Sequence, residues 1–366
     1  MKIVWFVHAV ASCWNNGNAH FLRGLGLALQ ACGHQVQFLE PAGSWSQTNL
    51  LQDHGPEALA SYRAAFPSLS PIHYEPARPD FAALTDSADL VIVHEWNPPP
   101  LVAALGRMRA GGAPFTLLFH DTHHRAATDP GAMSAFDLSG YDGVLAFGET
   151  IAAIYRRRGW AQKVWTLHEA ADTETFHPHP GVPERELVWI GNWGDDERSA
   201  ELEEFLIRPA SSLGLKAEIF GVRYPARAVA QLSARGLGYR GWLANHEAPE
   251  QFARSRFTVH VPRRPYARVL PGIPTIRVFE ALACGIPLIS APWDDSERLF
   301  PDGCYLTARN GQEMRAHMRA LLADADLCRS LREKGLAAIA ARHTCRHRAA
   351  ELIDIYSTLN PAREAA

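Results

Sequence analysis

Two α/β units, each a mostly parallel sheet with helices on both faces, are what this sequence predicts. Three observations carry the prediction. Short apolar runs alternate with helix-spaced stretches along the chain, a Pro-rich segment interrupts the alternation near the middle, and 366 residues exceed what one hydrophobic core usually organises.

Lys2 to Val7 is a short apolar run, and Asn16-Gly17-Asn18 is turn chemistry. Phe21, Leu25, Ala28, Leu29 and Cys32 then recur at helical spacing, and Gly33 ends that helix as a C-terminal cap. Strand-like runs follow at Gln35 to Leu39, Leu90 to His94, Phe115 to Phe119, Gly143 to Phe147 and Val164 to Leu167. His177-Pro178-His179-Pro180-Gly181-Val182-Pro183 can sustain neither a helix nor a central strand, so the hinge is placed there. Beyond it the alternation restarts at Leu187 to Gly191, Ala217 to Phe220, Phe257 to Val261 and Pro287 to Ser290. The expected organisation is an N-terminal unit over 1–180, a C-terminal unit over 181–344, and a last helix within 345–366.

Charge is nearly balanced, 36 basic against 39 acidic side chains for a net of -3, which gives no electrostatic reason to expect nucleic acid. Hydrophobic content of 47% with 20% charged residues is that of a folded globular chain, and no run approaches the roughly 20 apolar residues of a membrane span. The six cysteines are scattered without a Cys-x-x-Cys pair and read as reduced thiols of a cytoplasmic protein. Val10-Ala11-Ser12-Cys13 imitates a lipoprotein signal, but the stretch before it is short and broken by His8.

The most informative segment runs from Pro271 to Ser290 and reads as loop, helix, Gly cap, strand. Gly272 lets a ligand approach the backbone, Pro274 suits a first helical turn, and the amides of Thr275, Ile276 and Arg277 would point outward with Ile273 beside them. Such a helix end binds phosphate. Arg277 and Glu280 share a face, so Glu280 could accept sugar hydroxyls one turn below a bound diphosphate. The alternative is a surface Arg-Glu pair on a structural helix.

Glu280-Ala281-Leu282-Ala283-Cys284-Gly285-Ile286-Pro287 resembles the donor-site signature of GT-B glycosyltransferases, a Glu, seven residues, then Glu-Ala-x-Ala-x-Gly-x-Pro. Trp14-Asn15-Asn16-Gly17-Asn18-Ala19-His20, Phe119-His120-Asp121-Thr122-His123-His124-Arg125 and Trp189-Ile190-Gly191-Asn192-Trp193 resemble the CgeB-like branch, named for a spore maturation protein. The resemblance implies a GT-B fold, two Rossmann-like domains with parallel sheets facing a central cleft, and a final helix crossing back to the N-terminal domain. It implies a hexosyltransferase-like, metal-independent enzyme without a cofactor, whose co-substrate is a nucleoside-diphosphate sugar, a UDP-sugar by preference. The acceptor is not named by it.

Carried over residue by residue, the resemblance gives Glu280 the nucleotide ribose. The first Glu, which contacts the donor sugar in the family, would fall at Gly272, where this chain has none. Asn192 stands where the family has an Arg on the diphosphate, and Arg198 where it has a Lys. The missing charge is then expected from Arg263, Arg264 or Arg268, with Arg223 a weaker candidate, unless these form a solvated basic loop. Trp242 lies where the family lines its base pocket, or it is a packing residue.

In the N-terminal half, His120 and Asp121 close a strand, and strand C-terminal ends line the ligand crevice in open α/β sheets. Either could act as general base on the acceptor hydroxyl, or Asp121 caps a turn and His120 is a core residue. Asn16, Gly17, Asn18, His20, Glu95 and His123 are further candidates for cleft or acceptor contact, an ordinary turn being the alternative for the first four. Two rival functions use the same residues: a metal-dependent hydrolase built on His120, Asp121, His123 and His124 with His94 and Glu95, and a non-catalytic sugar-nucleotide binder.

Overall fold

A computed structural model describes residues 1–361. The chain divides into two compact units: Met1–Glu169 with the segment from Cys345 onward, and Ala170–Thr344. The Pro-rich stretch 177–183 holds neither helix nor strand.

In the first unit β1 (Lys2–Phe6), β2 (Gln35–Pro41), β3 (Ile72–Tyr74), β4 (Leu90–His94), β5 (Thr116–Asp121), β6 (Gly143–Ala146) and β7 (Val164–Thr166) form one sheet. Their order is β3-β2-β1-β4-β5-β6-β7, and every pairing is parallel. Ile3 through Phe6 and Leu90 through Val93 are wholly buried, as strands covered on both faces must be. The helix Cys345–Leu359 belongs to this unit although it comes last in sequence. It lies against the helix Asn18–Ala31, and Asn360 Nδ2 donates to Thr116 Oγ1 at 2.8 Å.

The second unit holds β8 (Arg185–Ile190), β9 (Ala217–Phe220), β10 (Gly238–Gly241), β11 (Ser255–His260), β12 (Leu288–Ser290) and β13 (Leu306–Thr307). Their order is β10-β9-β8-β11-β12-β13, again all parallel. Its core packs Trp189, Phe205, Phe257, Ile289 and Met314 between sheet and helices. β3, β10 and β13 are edge strands that the sequence pattern did not reveal. Gly238-Tyr239-Arg240-Gly241 and the exposed Ile72-His73 carry no apolar run, because an edge strand is buried on fewer sides.

Each sheet has one point where the strand order reverses, between β1 and β4 in the first and between β8 and β11 in the second. Chains leaving adjacent strands in opposite directions open a crevice at the strand C-terminal ends, which is where ligands bind in such sheets. The residues that follow β4, β8 and β11 are therefore the first to inspect.

Candidate active site

At the switch point of the second unit, the backbone after β8 and the backbone after β11 are bridged by one guanidinium. Arg198 Nη1 donates to Val261 O at 3.1 Å, Nη2 donates to Asn192 O, and the group lies 5.3 Å from the Trp189 ring centroid. Arg198 is only 8% exposed, and among the described residues no carboxylate pairs with it and Nε has no hydrogen-bond partner. Burial, and then the neighbouring charge of Arg263, push its pKa down to about 10. A buried cation held by neutral carbonyls is costly unless an anion joins it.

Asn192 is committed to the same loop, its Oδ1 accepting from Val222 N at 3.0 Å. The loops after β8 and β9 touch backbone to backbone: a Cβ on Gly221 would come within 2.1 Å of Gly191 O, so only glycine fits there.

The helix of the Pro271–Ser290 segment spans Ile276–Ala283, so Pro274 precedes the N-cap residue Thr275 and does not enter the first turn. Thr275 does not cap with its side chain. Its hydroxyl faces His260 Nε2 at 3.0 Å, while His260 Nδ1 meets Ser290 Oγ at 2.9 Å. Ser290 Oγ donates to Ala291 O, so Nδ1 is the donor and Nε2 accepts from Thr275. Burial, then the charges of Arg198 and Arg277, drive His260 down to about 3, and it stays neutral. The first-turn amides of Ile276 and Arg277 are thus left for another acceptor, beside Ile273 and Gly272 in the preceding loop.

Arg277 and Glu280 do pair, but not at the surface. Arg277 Nη1 lies 2.6 Å from Glu280 Oε2, Asn245 Nδ2 donates to Glu280 Oε1 at 3.0 Å, and Glu280 is 1% exposed. A carboxylate accepts through about four lone-pair positions, which suits it to hydroxyl donors.

The basic residues after β11 are mostly engaged. Arg264 grips Glu201 with two bonds of 2.8 and 3.0 Å, and Arg263 lies 3.6 Å from Glu197. Arg268 is exposed in the short helix Arg264–Val269. Arg223, at φ +62°, pairs with Asp195 at 2.7 Å on the surface. Trp242 is half-buried just past β10. The cation that reaches the switch point is Arg198, because the loop back from β8 folds it inward.

In the first unit the switch point carries buried acids. Glu95 follows β4, with His94 Nδ1 3.0 Å from its Oε2 and Thr122 Oγ1 donating to Oε1 at 3.3 Å. Asp121 ends β5, where Tyr155 Oη donates to Oδ2 at 2.9 Å and His123 N to Oδ1 at 3.0 Å. Burial raises Glu95 to about 8; burial and the charge of Glu95 raise Asp121 to about 7. Two coupled carboxyls titrating near neutrality can take or give a proton at working pH.

His120 does not join them. Successive strand residues face opposite ways, and its ring packs among Trp5 at 5.5 Å, His94 at 5.4 Å and Phe21 at 6.3 Å. Both ring nitrogens lack hydrogen-bond partners among the described residues, and burial, followed by His94, holds the pKa well below the ordinary value. Asn16 uses its amide to close its own loop, donating to Ala9 O at 2.8 Å and Ser12 O at 3.3 Å. Gly17 is the exposed N-cap of the helix that Asn18 begins, and His20 is buried one turn in. His123 stacks on His124 at 3.9 Å and meets Trp96 at 4.9 Å; Trp96 is covered by Arg125 at 4.3 Å and remains 41% exposed.

Among the described residues no three His, Cys, Asp or Glu side chains are grouped to hold a metal ion, so the histidines of 120–124 do not form the cluster a hydrolase would need. His124 turns to Thr128 at 2.8 Å instead. Sequence reasoning missed Tyr155, Asn245 and His260, since each meets its partner only through the folded sheet.

Residues 198–354 match the family described as Glycosyl transferase-like, and no curated protein matches the chain significantly. The sucrose-phosphate synthase of Thermosynechococcus elongatus superposes with a TM-score of 0.67 at 16% identity, over 99% of this chain and 100% of that one. Anabaena HepE, solved with UDP and glucose, gives 0.66 at 15%, over 98% and 99%. The BGT protein of T4 phage, solved with UDP and Mn2+, gives 0.61 at 13%, over 98% and 99%. Two parallel-sheet units and a whole-chain likeness to these structures make the fold of this chain GT-B.

Proposed function

We propose that this chain is a glycosyltransferase that takes a sugar from a nucleoside-diphosphate donor without needing a bound metal. The observation that carries the reading is the buried Arg198 at the switch point of the second unit, without a carboxylate partner among the described residues, whose charge acts on His260, the ring bonded to Thr275 just ahead of the uncapped helix amides at Ile276 and Arg277. A diphosphate matches both, since guanidinium forks and helix N-termini each favour its oxygens. Glu280, held by Asn245 and Arg277, accepts the ribose hydroxyls, and Trp242 flanks the base. Stabilising charge on the departing nucleoside diphosphate is what such groups contribute to the rate.

Asp121, coupled to Glu95, is the proposed general base that removes the proton of the acceptor hydroxyl as the new glycosidic bond forms. A UDP-sugar is the favoured donor, in keeping with the ligands of the HepE and T4 phage structures. The motifs at Trp14 to His20, Phe119 to Arg125 and Trp189 to Trp193 suggest the CgeB-like branch, and the scattered cysteines suit a cytoplasmic setting.

Thermal unfolding with UDP, GDP, dTDP and ADP, each with and without EDTA, tests the proposal. Saturation at a hundredfold over Kd stabilises by about 2.7 kcal/mol. A shift with one diphosphate that EDTA leaves unchanged is expected; no shift with any of them overturns the reading, and a shift abolished by EDTA overturns metal independence. Binding without transfer to any of a broad acceptor panel would favour a non-catalytic binder.

A further inference from the structure

We propose that Glu297 supplies a carboxylate that reads the sugar half of the donor, reaching the loop ahead of the helix Ile276–Ala283 from a separate turn. The inference rests on the donor reading above. Gly272 has φ +82°, and its amide donates to Asp294 O at 2.6 Å, which ties its loop to the turn that carries Glu297. A Cβ at position 272 would lie 2.5 Å from Glu297 Cγ and 2.6 Å from Glu297 Oε1. The space a side chain at 272 would take is therefore filled by the acidic arm of Glu297, and the glycine is what admits it.

The turn is held firmly. Asp295 accepts from Leu299 N at 2.8 Å and Phe300 N at 3.0 Å, and Phe300 packs on Phe279, in the phosphate-facing helix itself, with centroids 5.3 Å apart. The turn that carries Glu297 is thereby fixed relative to the helix start. A carboxylate at that place repels phosphate oxygens but accepts hydroxyl donors strongly, and a sugar offers several hydroxyls. A site built to bond a hydroxyl also rejects analogues lacking it, so Glu297 would set which sugar is taken.

The test is titration of wild type, Glu297→Gln and Glu297→Asp with UDP, UDP-glucose, UDP-galactose and UDP-N-acetylglucosamine, with GDP and GDP-mannose alongside. In wild type one sugar conjugate should bind more tightly than its own diphosphate. Glu297→Gln should keep the diphosphate within about twofold and lose about tenfold or more for the conjugate, the weight of a hydrogen bond to a charged group. Glu297→Asp, which keeps the charge but shortens the arm by one methylene, should reproduce that loss even if Glu297→Gln does not fold. Conjugate affinity unchanged in these variants, equal losses for conjugate and diphosphate, or no gain from the sugar in wild type would each overturn the assignment. Wild type that binds no diphosphate at all would instead overturn the donor reading on which it stands.

Discussion

Tyr155 Oη donates to Asp121 Oδ2 at 2.9 Å, across 34 residues of sequence and from helix to strand end. The bond stabilises the ionised form of a carboxyl that burial has raised to about 7. Tyr155→Phe should raise Asp121 further, moving the rising limb of the pH–rate profile to higher pH, and cost about 1–3 kcal/mol of stability. A limb that does not move would remove Asp121 as the base.

Asp121 and Glu95 should also shape stability. Both titrate higher in the folded chain, near 7 and 8, than their ordinary values of 3.8 and 4.5. Between those limits the native state holds protons the unfolded chain has lost, so the contribution of these two groups to stability is full below about pH 4 and is lost as pH rises through 7 to 8. The slope is about 1.4 kcal/mol per pH unit for each group. Asp121→Asn and Glu95→Gln should each flatten the fall in urea unfolding measured from pH 5 to 8.

Arg198→Met removes a buried charge whose partners are two carbonyls. In the ligand-free variant the regained desolvation energy of the charge offsets the loss of the donor to Val261 O and Asn192 O, so it should lie within about 3 kcal/mol of wild type. Its stabilisation by nucleoside diphosphate should vanish in the same melting experiment. Strong destabilisation with binding intact would make Arg198 a purely structural group.

Glu280→Gln leaves Arg277 buried without its ion pair and should cost about 3–5 kcal/mol. Asn245→Ala removes a single hydrogen bond and should cost about 1 kcal/mol. Both should weaken UDP binding in calorimetry, since Asn245 orients the carboxylate. UDP affinity unchanged in Asn245→Ala would take Asn245 out of the site.

His260 shows where sequence reading stops. The apolar run around it marks a strand, yet its neutral ring links Thr275 to Ser290, and nothing in local spacing brings three such positions together. The same holds for Arg198: its place in sequence suggested a cation near the diphosphate, but Arg263, Arg264 and Arg268 looked suited too, with Arg223 behind them, and only the carboxylates of Glu197, Glu201 and Asp195 show Arg263, Arg264 and Arg223 engaged. His120 and Asp121, adjacent in sequence, part company because a strand turns neighbours to opposite faces.

By itself the sequence determined the two-unit plan and the central strands: short apolar runs alternating with helix-spaced stretches favour parallel sheets covered on both faces, and the Pro-rich stretch breaks the pattern once. It also determined the loop, helix and cap at Pro271 to Ser290, because glycine, proline and helix-end chemistry are local. Tertiary structure decided which charges are spent and which remain, setting Arg198 inward and Arg223, Arg263 and Arg264 against acids. It alone filled the place beside Gly272 with Glu297 and raised Asp121 and Glu95 towards neutrality, since burial and through-space charge depend on what the fold brings near.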